Sequence, residues 1–227
     1  MNKSLIEKKS MKFGCLNVRG WGLGKFEDIF KELSEWSFDF VGITETHLRD
    51  RFERESDEYM MIGKGRCRQD KMGGGVALIY KKDRNIRLEE IDIGNGEMSE
   101  DIIAMRVECK GGQNETESFV IVIVYMTVEG ERAKRENKEK YKIINGIVKE
   151  YARERIIVMG DMNGHIGIML GERINKNGEM LLEFMDELNM ENLNVTLAEG
   201  RVTWCAREQE SAIDYVLVNE KNERIRE

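Results

Sequence analysis

Apolar residues fall along this chain in short unbroken runs separated by polar, glycine-bearing gaps, a pattern of buried strands. Ile156-Ile157-Val158-Met159 is one such run, and residues 118–126 form the most apolar segment, which must be central. Residues 39–45 and 76–80 read the same way. Residues 11–18 predict a first strand with Phe13, Cys15 and Leu16 in the core. Three segments switch to helical periodicity. Phe26, Ile29, Phe30, Leu33 and Trp36 recur at i, i+3, i+4, i+7 and i+10, predicting a helix over 25–36. A longer helix is expected from Glu131 to Tyr151, its first half almost all charged and its second half turning Ile144, Ile147, Val148 and Tyr151 inward. Leu181, Phe184 and Leu188 mark a third over 177–188. Residues 46–58 are polar and arginine-rich and read as a loop or weak helix, while short strands are expected near 59–62, 86–91, 102–108, 193–197, 202–205 and 212–218.

The opening strand–helix–strand predicts a parallel pair, and the closely spaced strands that follow predict antiparallel hairpins. Two sheets packed face to face with helices outside would bury every run, an α/β class. No repeat, low-complexity linker or composition shift divides residues 11–227, so one domain is expected after a flexible lead-in, residues 1–10.

Composition narrows the function. With 41% hydrophobic and 35% charged residues the chain reads as soluble and globular. No apolar run approaches the roughly 18 residues of a membrane span, and residues 1–11 lack the apolar core of a secretory signal, so an intracellular protein is expected. The four cysteines are widely separated and read as reduced thiols. A net charge of −7 excludes a generally basic nucleic-acid binder but leaves local clusters. Lys64, Arg66, Arg68 and Lys71 form one. Arg132, Lys134, Arg135, Lys138, Lys140 and Lys142 form another, which reads as a solvated helix face because Glu131, Glu136 and Glu139 interleave with it. Gly73-Gly74-Gly75 is no phosphate loop: no Gly-Lys-Ser/Thr follows it, and a strand rather than a helix comes next.

Several of the strands end on, or are interrupted by, one polar residue of chemical use: Asn17, Glu45, Tyr125, Asp161 with Asn163, and Asp214. Gly160-Asp161-Met162-Asn163 taken alone also suits a local turn. A carboxylate inside an apolar strand is costly unless it is paired or binds a cation. Carboxylates and amides without a cysteine or histidine cluster fit a hard, oxygen-liganded ion such as Mg2+ or Mn2+. Such an ion typically serves phosphate ester cleavage.

In order, Leu16-Asn17-Val18-Arg19-Gly20, Thr44-Glu45-Thr46-His47, Val124-Tyr125, Gly160-Asp161-Met162-Asn163, Thr203-Trp204 and Ile213-Asp214-Tyr215 resemble the motifs of the endonuclease/exonuclease/phosphatase (DNase I-like) superfamily. The resemblance spans about residues 11–220, and the wording of the motifs is most similar to the endonucleases of non-LTR (LINE-type) retrotransposons, which are associated with reverse transcriptases, and to the host proteins similar to them. It implies a four-layered α/β sandwich and a Mg2+- or Mn2+-dependent phosphodiesterase that cleaves DNA by in-line attack of water, nuclear if DNA is the substrate and monomeric by default. Glu45 and Asn17 would bind the metal, Asp161 would activate the water and Asn163 would stabilise the transition state. Tyr125 would contact the phosphate or leaving group and Asp214 would sit beside the metal, while Trp204 and Arg19 would face the nucleic acid. Two features depart from the family pattern. A terminal Ser-Asp-His segment and the last strand are expected to be missing, which would weaken or abolish activity, and Arg19 stands where an acidic residue is usual. Both histidines read as solvent-facing turn residues; of the two, His165 is the nearer in sequence to Asp161 and Asn163 and the better candidate replacement. The alternatives are a catalytically dead, retroelement-derived remnant or binding module, and a phosphatase acting on a phospholipid or inositol phosphate.

Overall fold

The structure is a computed structural model and describes residues 11–22, 25–66, 73–82, 86–94, 97–110, 116–167, 171–197, 201–206 and 209–219. Strand β1 (Phe13–Asn17), helix α1 (Lys25–Trp36) and strand β2 (Phe40–Thr44) open the chain, and β1 and β2 pair in parallel as the pattern predicts. Strands β3 (Arg51–Glu55), β4 (Tyr59–Lys64) and β5 (Val76–Lys81) complete a first sheet in the order β1-β2-β5-β4-β3. The next strands, β6 (Ile86–Glu90), β7 (Ile102–Lys110) and β8 (Thr116–Tyr125), form an antiparallel meander, with a 3-10 helix (Glu97–Asp101) before β7. Helix α2 (Glu131–Glu150) crosses over to β9 (Arg155–Asp161), parallel to β8. Helix α3 (Lys176–Leu188), strand β10 (Met190–Asn192) and helix α4 (Leu193–Leu197) follow. A small hairpin, β11 (Trp204–Ala206) and β12 (Gln209–Ser211), precedes β13 (Asp214–Asn219). The second sheet runs β10-β13-β9-β8-β7-β6.

Period-2 alternation builds four layers. Phe40, Val76 and Leu78 of the first sheet meet Ile103, Met105, Ile121, Ile123, Ile157 and Met159 of the second in the central core. The opposite face of the first sheet, including Val41, Ile43, Met61 and Ile79, is covered by Ile29, Phe30 and Leu33 of α1. The outer face of the second sheet, with Val120, Val122 and Val158, lies under Ile144, Ile147 and Val148 of α2 and Leu181 and Phe184 of α3. Each fully buried aliphatic side chain here stabilises the fold by about 1.5–3 kcal/mol relative to exposure. The expected sandwich of two mixed sheets with helices outside is therefore the architecture. Among the described residues no helix is long and apolar enough to cross a membrane. Cys15 and Cys205 are free thiols; Cys67, Arg68, Lys71 and Arg207 lie outside the described residues.

Four expectations change. Residues 51–55 are the edge strand β3, not a loop or helix: Arg51, Glu53, Arg54 and Glu55 face solvent and only Phe52 packs inward, against Gly63. An edge strand needs one pairing partner, which β4 supplies, and its charges discourage a further strand. Residues 193–197 form a helical turn; Asn192 Oδ1 accepts from the Asn194 N–H at 3.0 Å and so turns the chain there. Leu16 and Trp36 are exposed, because Phe13 and Cys15 take the inward positions of β1 and Trp36 lies on the last turn of α1. Finally, the first half of α2 is not a purely solvated face: Glu136, Asn137 and Lys140 are buried.

Candidate active site

The site residues sit where strands end. Register aligns Tyr125 with Asp161 and Asp161 with Asp214, so the ends of β8 and β9 and the start of β13 present three neighbouring side chains. Their parity is that of Ile123, Met159 and Val216, so they face the first sheet. From that sheet come Asn17, at the end of β1, and Glu45, just after β2. Asn17 Nδ2 donates to Glu45 Oε1 at 3.0 Å and to Asp161 Oδ2 at 2.8 Å. One amide thus ties residues 144 positions apart across the two sheets. Asn17 Oδ1 accepts from the Arg19 N–H at 2.9 Å.

Backbone strain concentrates here. Arg19, Glu45, His47 and Asn163 have φ of 47, 53, 53 and 46°. A non-glycine residue in that region costs on the order of 1 kcal/mol and persists only where its surroundings fix it. The fixing bonds are Gly20 N–H to Glu45 O at 2.7 Å, Trp21 N–H to Thr46 O at 2.9 Å and His47 N–H to Gly74 O at 3.0 Å. Gly160 is required by contact: a Cβ there would lie 1.9 Å from the Val124 carbonyl oxygen, so only glycine lets β9 approach β8 just before Asp161.

Asp161 is 1% exposed. Its Oδ1 accepts from the Asn163 N–H at 2.9 Å. Burial pushes its carboxyl well above the usual carboxylate range and the charge of Asp214 adds to this; the bonds from Asn163 and Asn17 oppose it, and Glu45 pushes it up again. Asp214 is raised too, first by burial and then by Glu45, against the Thr203 hydroxyl and Arg19. Asp214 Oδ1 is buried without a hydrogen-bond partner. Crowded carboxylates with an orphaned oxygen are a fitting donor set for a hard divalent cation. Among the described residues no three His, Cys, Asp or Glu side chains form a metal cage.

Asn163 is held by a run of amides. Its Nδ2 donates to the Met126 carbonyl at 2.7 Å, and its own carbonyl accepts from Asn175 and Asn177, each at 3.1 Å. Asn175 also caps α3 through the Gly178 N–H at 2.7 Å. Asn177 continues to the Thr127 carbonyl at 3.0 Å and to Asn137 at 3.0 Å. Each histidine meets a carboxylate. His165 Nδ1 is engaged by Glu172 Oε2 at 2.6 Å, whereas His47 Nε2 lies 3.4 Å from Glu45 Oε2. The Arg19 guanidinium sits 5.8 Å from the centre of the Trp204 ring. Both line a cleft of about 830 Å3 together with Cys15, Leu16, Asn17 and Asp214.

The sequence pattern missed a cluster behind Tyr125. Asp101 accepts from Arg66 Nε at 2.7 Å and Nη2 at 2.5 Å, and from Lys140 Nζ at 2.6 Å. Lys140 is fully buried. Burial pulls its pKa down while Asp101 holds it up; the carboxylate contact favours the charged pair. Asp101 is held below the usual carboxylate range by Lys140 and Arg66, which outweigh its burial. A signal for Lys140 was present: stepping back four residues from Ile144 or seven from Ile147 lands on 140, and seven back from Ile144 lands on Asn137, the inner face of α2.

A family model described as endonuclease-reverse transcriptase matches residues 119–227. No curated protein matches the sequence. Among solved structures, the endonuclease domain of TRAS1, a telomere-specific non-LTR retrotransposon, is 14% identical, with a TM-score of 0.66 over 93% of this chain and 86% of that one. The Xenopus laevis APE2 catalytic domain is 14% identical, with a TM-score of 0.71 over 92% and 82%. The 3' phosphatase NExo from Neisseria, bound to a product DNA hairpin, is 12% identical, with a TM-score of 0.64 over 93% and 87%. At these identities the likeness concerns the fold.

Proposed function

We propose that this chain, which has the DNase I-like fold of the endonuclease/exonuclease/phosphatase superfamily, hydrolyses the phosphodiester backbone of DNA with Mg2+ or Mn2+. One observation carries the reading: the Asn17 amide joins Glu45 and Asp161, so strand ends of both sheets converge on one acidic point.

Asp161, dry and held by two donors, orients the attacking water and accepts its proton. Asn163, on its fixed turn, offers its amide to the charge that builds on the phosphoryl oxygens, giving up the Met126 carbonyl it bonds at rest. Tyr125 directs its hydroxyl at the phosphate or the leaving oxygen. Glu45 and the free lone pair of Asn17 Oδ1 would hold the metal, with the unpartnered Asp214 Oδ1 as a further oxygen donor. Bound there, a hard cation polarises the phosphoryl oxygen and stabilises the leaving oxygen. Arg19 and Trp204 make a cationic and aromatic lip for the nucleic acid. The DNA substrate draws support from the neighbour bound to a product DNA hairpin and from the one named as the endonuclease domain of a retrotransposon.

Plasmid nicking is the test. Supercoiled DNA should be converted to open circles with Mg2+ or Mn2+, not in EDTA, and not by Asp161→Ala. Nicking that survives EDTA or that substitution sinks the proposal. Absence of nicking with either metal would favour a non-catalytic binding module.

A further inference from the structure

Tyr125 is gripped from behind by two cations. The Arg66 guanidinium lies 5.4 Å and Lys140 Nζ 5.6 Å from the centre of its ring. Both cations are bonded to a single carboxylate, Asp101. All three groups are buried: Arg66 is 6% exposed and Asp101 and Lys140 are 0%. The triad thus sets two cations on one carboxylate. Glu136, also buried, accepts from Thr127 Oγ1 at 3.1 Å and from Arg132 Nε at 2.9 Å, and its charge acts on both Arg66 and Lys140. A pair serving stability alone would need one cation, because each buried charge costs several kcal/mol of desolvation. Both cations lie within 5.6 Å of the centre of the Tyr125 ring.

The grip leaves the phenol oxygen available. Lys140 Nζ places its three protons on Asp101 Oδ2, on the Tyr125 carbonyl at 2.8 Å and on Thr127 Oγ1 at 3.2 Å, so none goes to the hydroxyl. That hydroxyl and His47 Nε2 instead converge on Gly73: a Cβ there would lie 3.8 Å from the one and 3.9 Å from the other. The neighbouring Gly74 makes room for the triad, since a Cβ would lie 2.1 Å from Arg66 Nε and 2.6 Å from Asp101 Oδ1. The Gly75 N–H donates to the same Asp101 oxygen at 3.3 Å.

We infer that Asp101 is a positioning residue for Tyr125: by pinning Arg66 and Lys140 beside the ring, it fixes the direction of the phenol hydroxyl and strengthens that hydroxyl as a donor to the reacting phosphate. Burial first, then Glu45 and Asp161, raise the pKa of the Tyr125 hydroxyl and Asp101's own charge adds to them, whereas the Arg66 guanidinium opposes the rise; the pinned cation therefore keeps the hydroxyl a better donor than its surroundings alone would leave it. The effect on rate rests on the hydrolase reading above; the positioning does not.

The experiment is a double-mutant cycle on the full chain, with nicking kinetics of the wild type, Asp101→Asn, Tyr125→Phe and the pair. Asp101→Asn should lower kcat about tenfold at unchanged KM, the scale of one cation–ring contact. In the Tyr125→Phe background the same change should cost nothing further. Additive losses, or a rise in KM at unchanged kcat, overturn the inference. Should Asp101→Asn not fold, Lys140→Met takes its place in the cycle, and Lys140→Arg should recover most of the lost kcat; equal losses in Lys140→Met and Lys140→Arg count against the inference. Protein grown with 3-fluorotyrosine gives a readout independent of cleavage. The fluorine resonance that Tyr125→Phe removes should shift when Asp101 or Lys140 is substituted, and an unmoved resonance overturns the inference. A wild type that does not nick DNA defeats the hydrolase reading alone, and the fluorine resonance then decides the positioning.

Discussion

Asp161 holds the tension of this molecule at the scale of one residue. It is buried beside Asp214 and Glu45, and its native proton affinity is raised above that of an exposed carboxylate. The sign of the consequence follows from linkage. A carboxyl whose native pKa is raised is deprotonated first in the unfolded chain. Its charge therefore penalises folding increasingly as pH climbs from about 4, the ordinary Asp value, through the higher native value. We expect Asp161→Asn to be inactive yet, measured in EDTA, to gain stability relative to wild type between pH 4 and pH 7. At pH 4 and below it should show only the loss of one acceptor, about 0.5–1.5 kcal/mol. Urea unfolding at a series of pH values reads this directly, and a difference independent of pH would mean that Asp161 is no more burdened than a surface acid. Asp101 is the opposite case. Arg66 and Lys140 depress its native value, so it stabilises above about pH 4 and loses that contribution as pH falls through its lower native value. Asp101→Asn should accordingly flatten the acid limb of the stability curve below pH 4, and a limb as steep as that of the wild type would count against the charged triad.

At the scale of elements, the strands are set by what their backbones must approach. Gly160→Ala would drive a methyl to 1.9 Å from the Val124 carbonyl, a backbone atom that cannot yield without parting β8 from β9. Gly42→Ala meets Ile123 Cδ1 at 2.7 Å, the far end of a flexible side chain. The first should cost about 3 kcal/mol or more and the second about 1–2 kcal/mol, typical of strain and overpacking. Chemical denaturation of both variants ranks them, and equal losses would argue against rigid β8–β9 pairing. Elements that bury a face were legible in the sequence for this same reason. The runs at 118–126 and 156–159 carry their apolar pattern whatever they pack on. β3 was not legible, because Arg51, Glu53, Arg54 and Glu55 face water and the strand exists only through pairing with β4. The turn at 193–197 was missed because Val195 and Leu197 suggest a strand, while the decisive bond from Asn194 to Asn192 is a local side-chain effect. In α2 the alternation of charges hid Lys140, whose partner Asp101 lies 39 residues away.

At the scale of the whole molecule, the site lies between the sheets. Asn17 and Glu45 come from one, and Tyr125, Asp161 and Asp214 from the other. A ligand bound to both resists their separation, so it should raise global stability and not merely order a loop. Mg2+ at 100 times its dissociation constant should add about 2.7 kcal/mol, a shift of roughly 5–10 °C for a chain of this size. Glu45→Gln should remove the shift. A melting curve indifferent to Mg2+, or a shift that survives Glu45→Gln, would place the metal elsewhere. The candidate site was legible as a set of strand-end residues because each breaks an apolar run. What stayed hidden was everything that holds them: the Asn175–Asn177–Asn137 chain and the Arg66–Asp101–Lys140 triad are polar contacts between elements far apart in sequence, and no local pattern encodes them.

The close fit around Gly74 extends to heredity. With φ at +75° and no room for a Cβ beside Arg66 and Asp101, the position tolerates no side chain. Every change at the first or second base of a glycine codon supplies a side chain or a stop, and only the third base is free to drift. A saturation library of codon variants should therefore find residue 74 about as intolerant as Asp161, although it takes part in no chemistry, and the gene should record the geometry of the triad as silence at two codon positions.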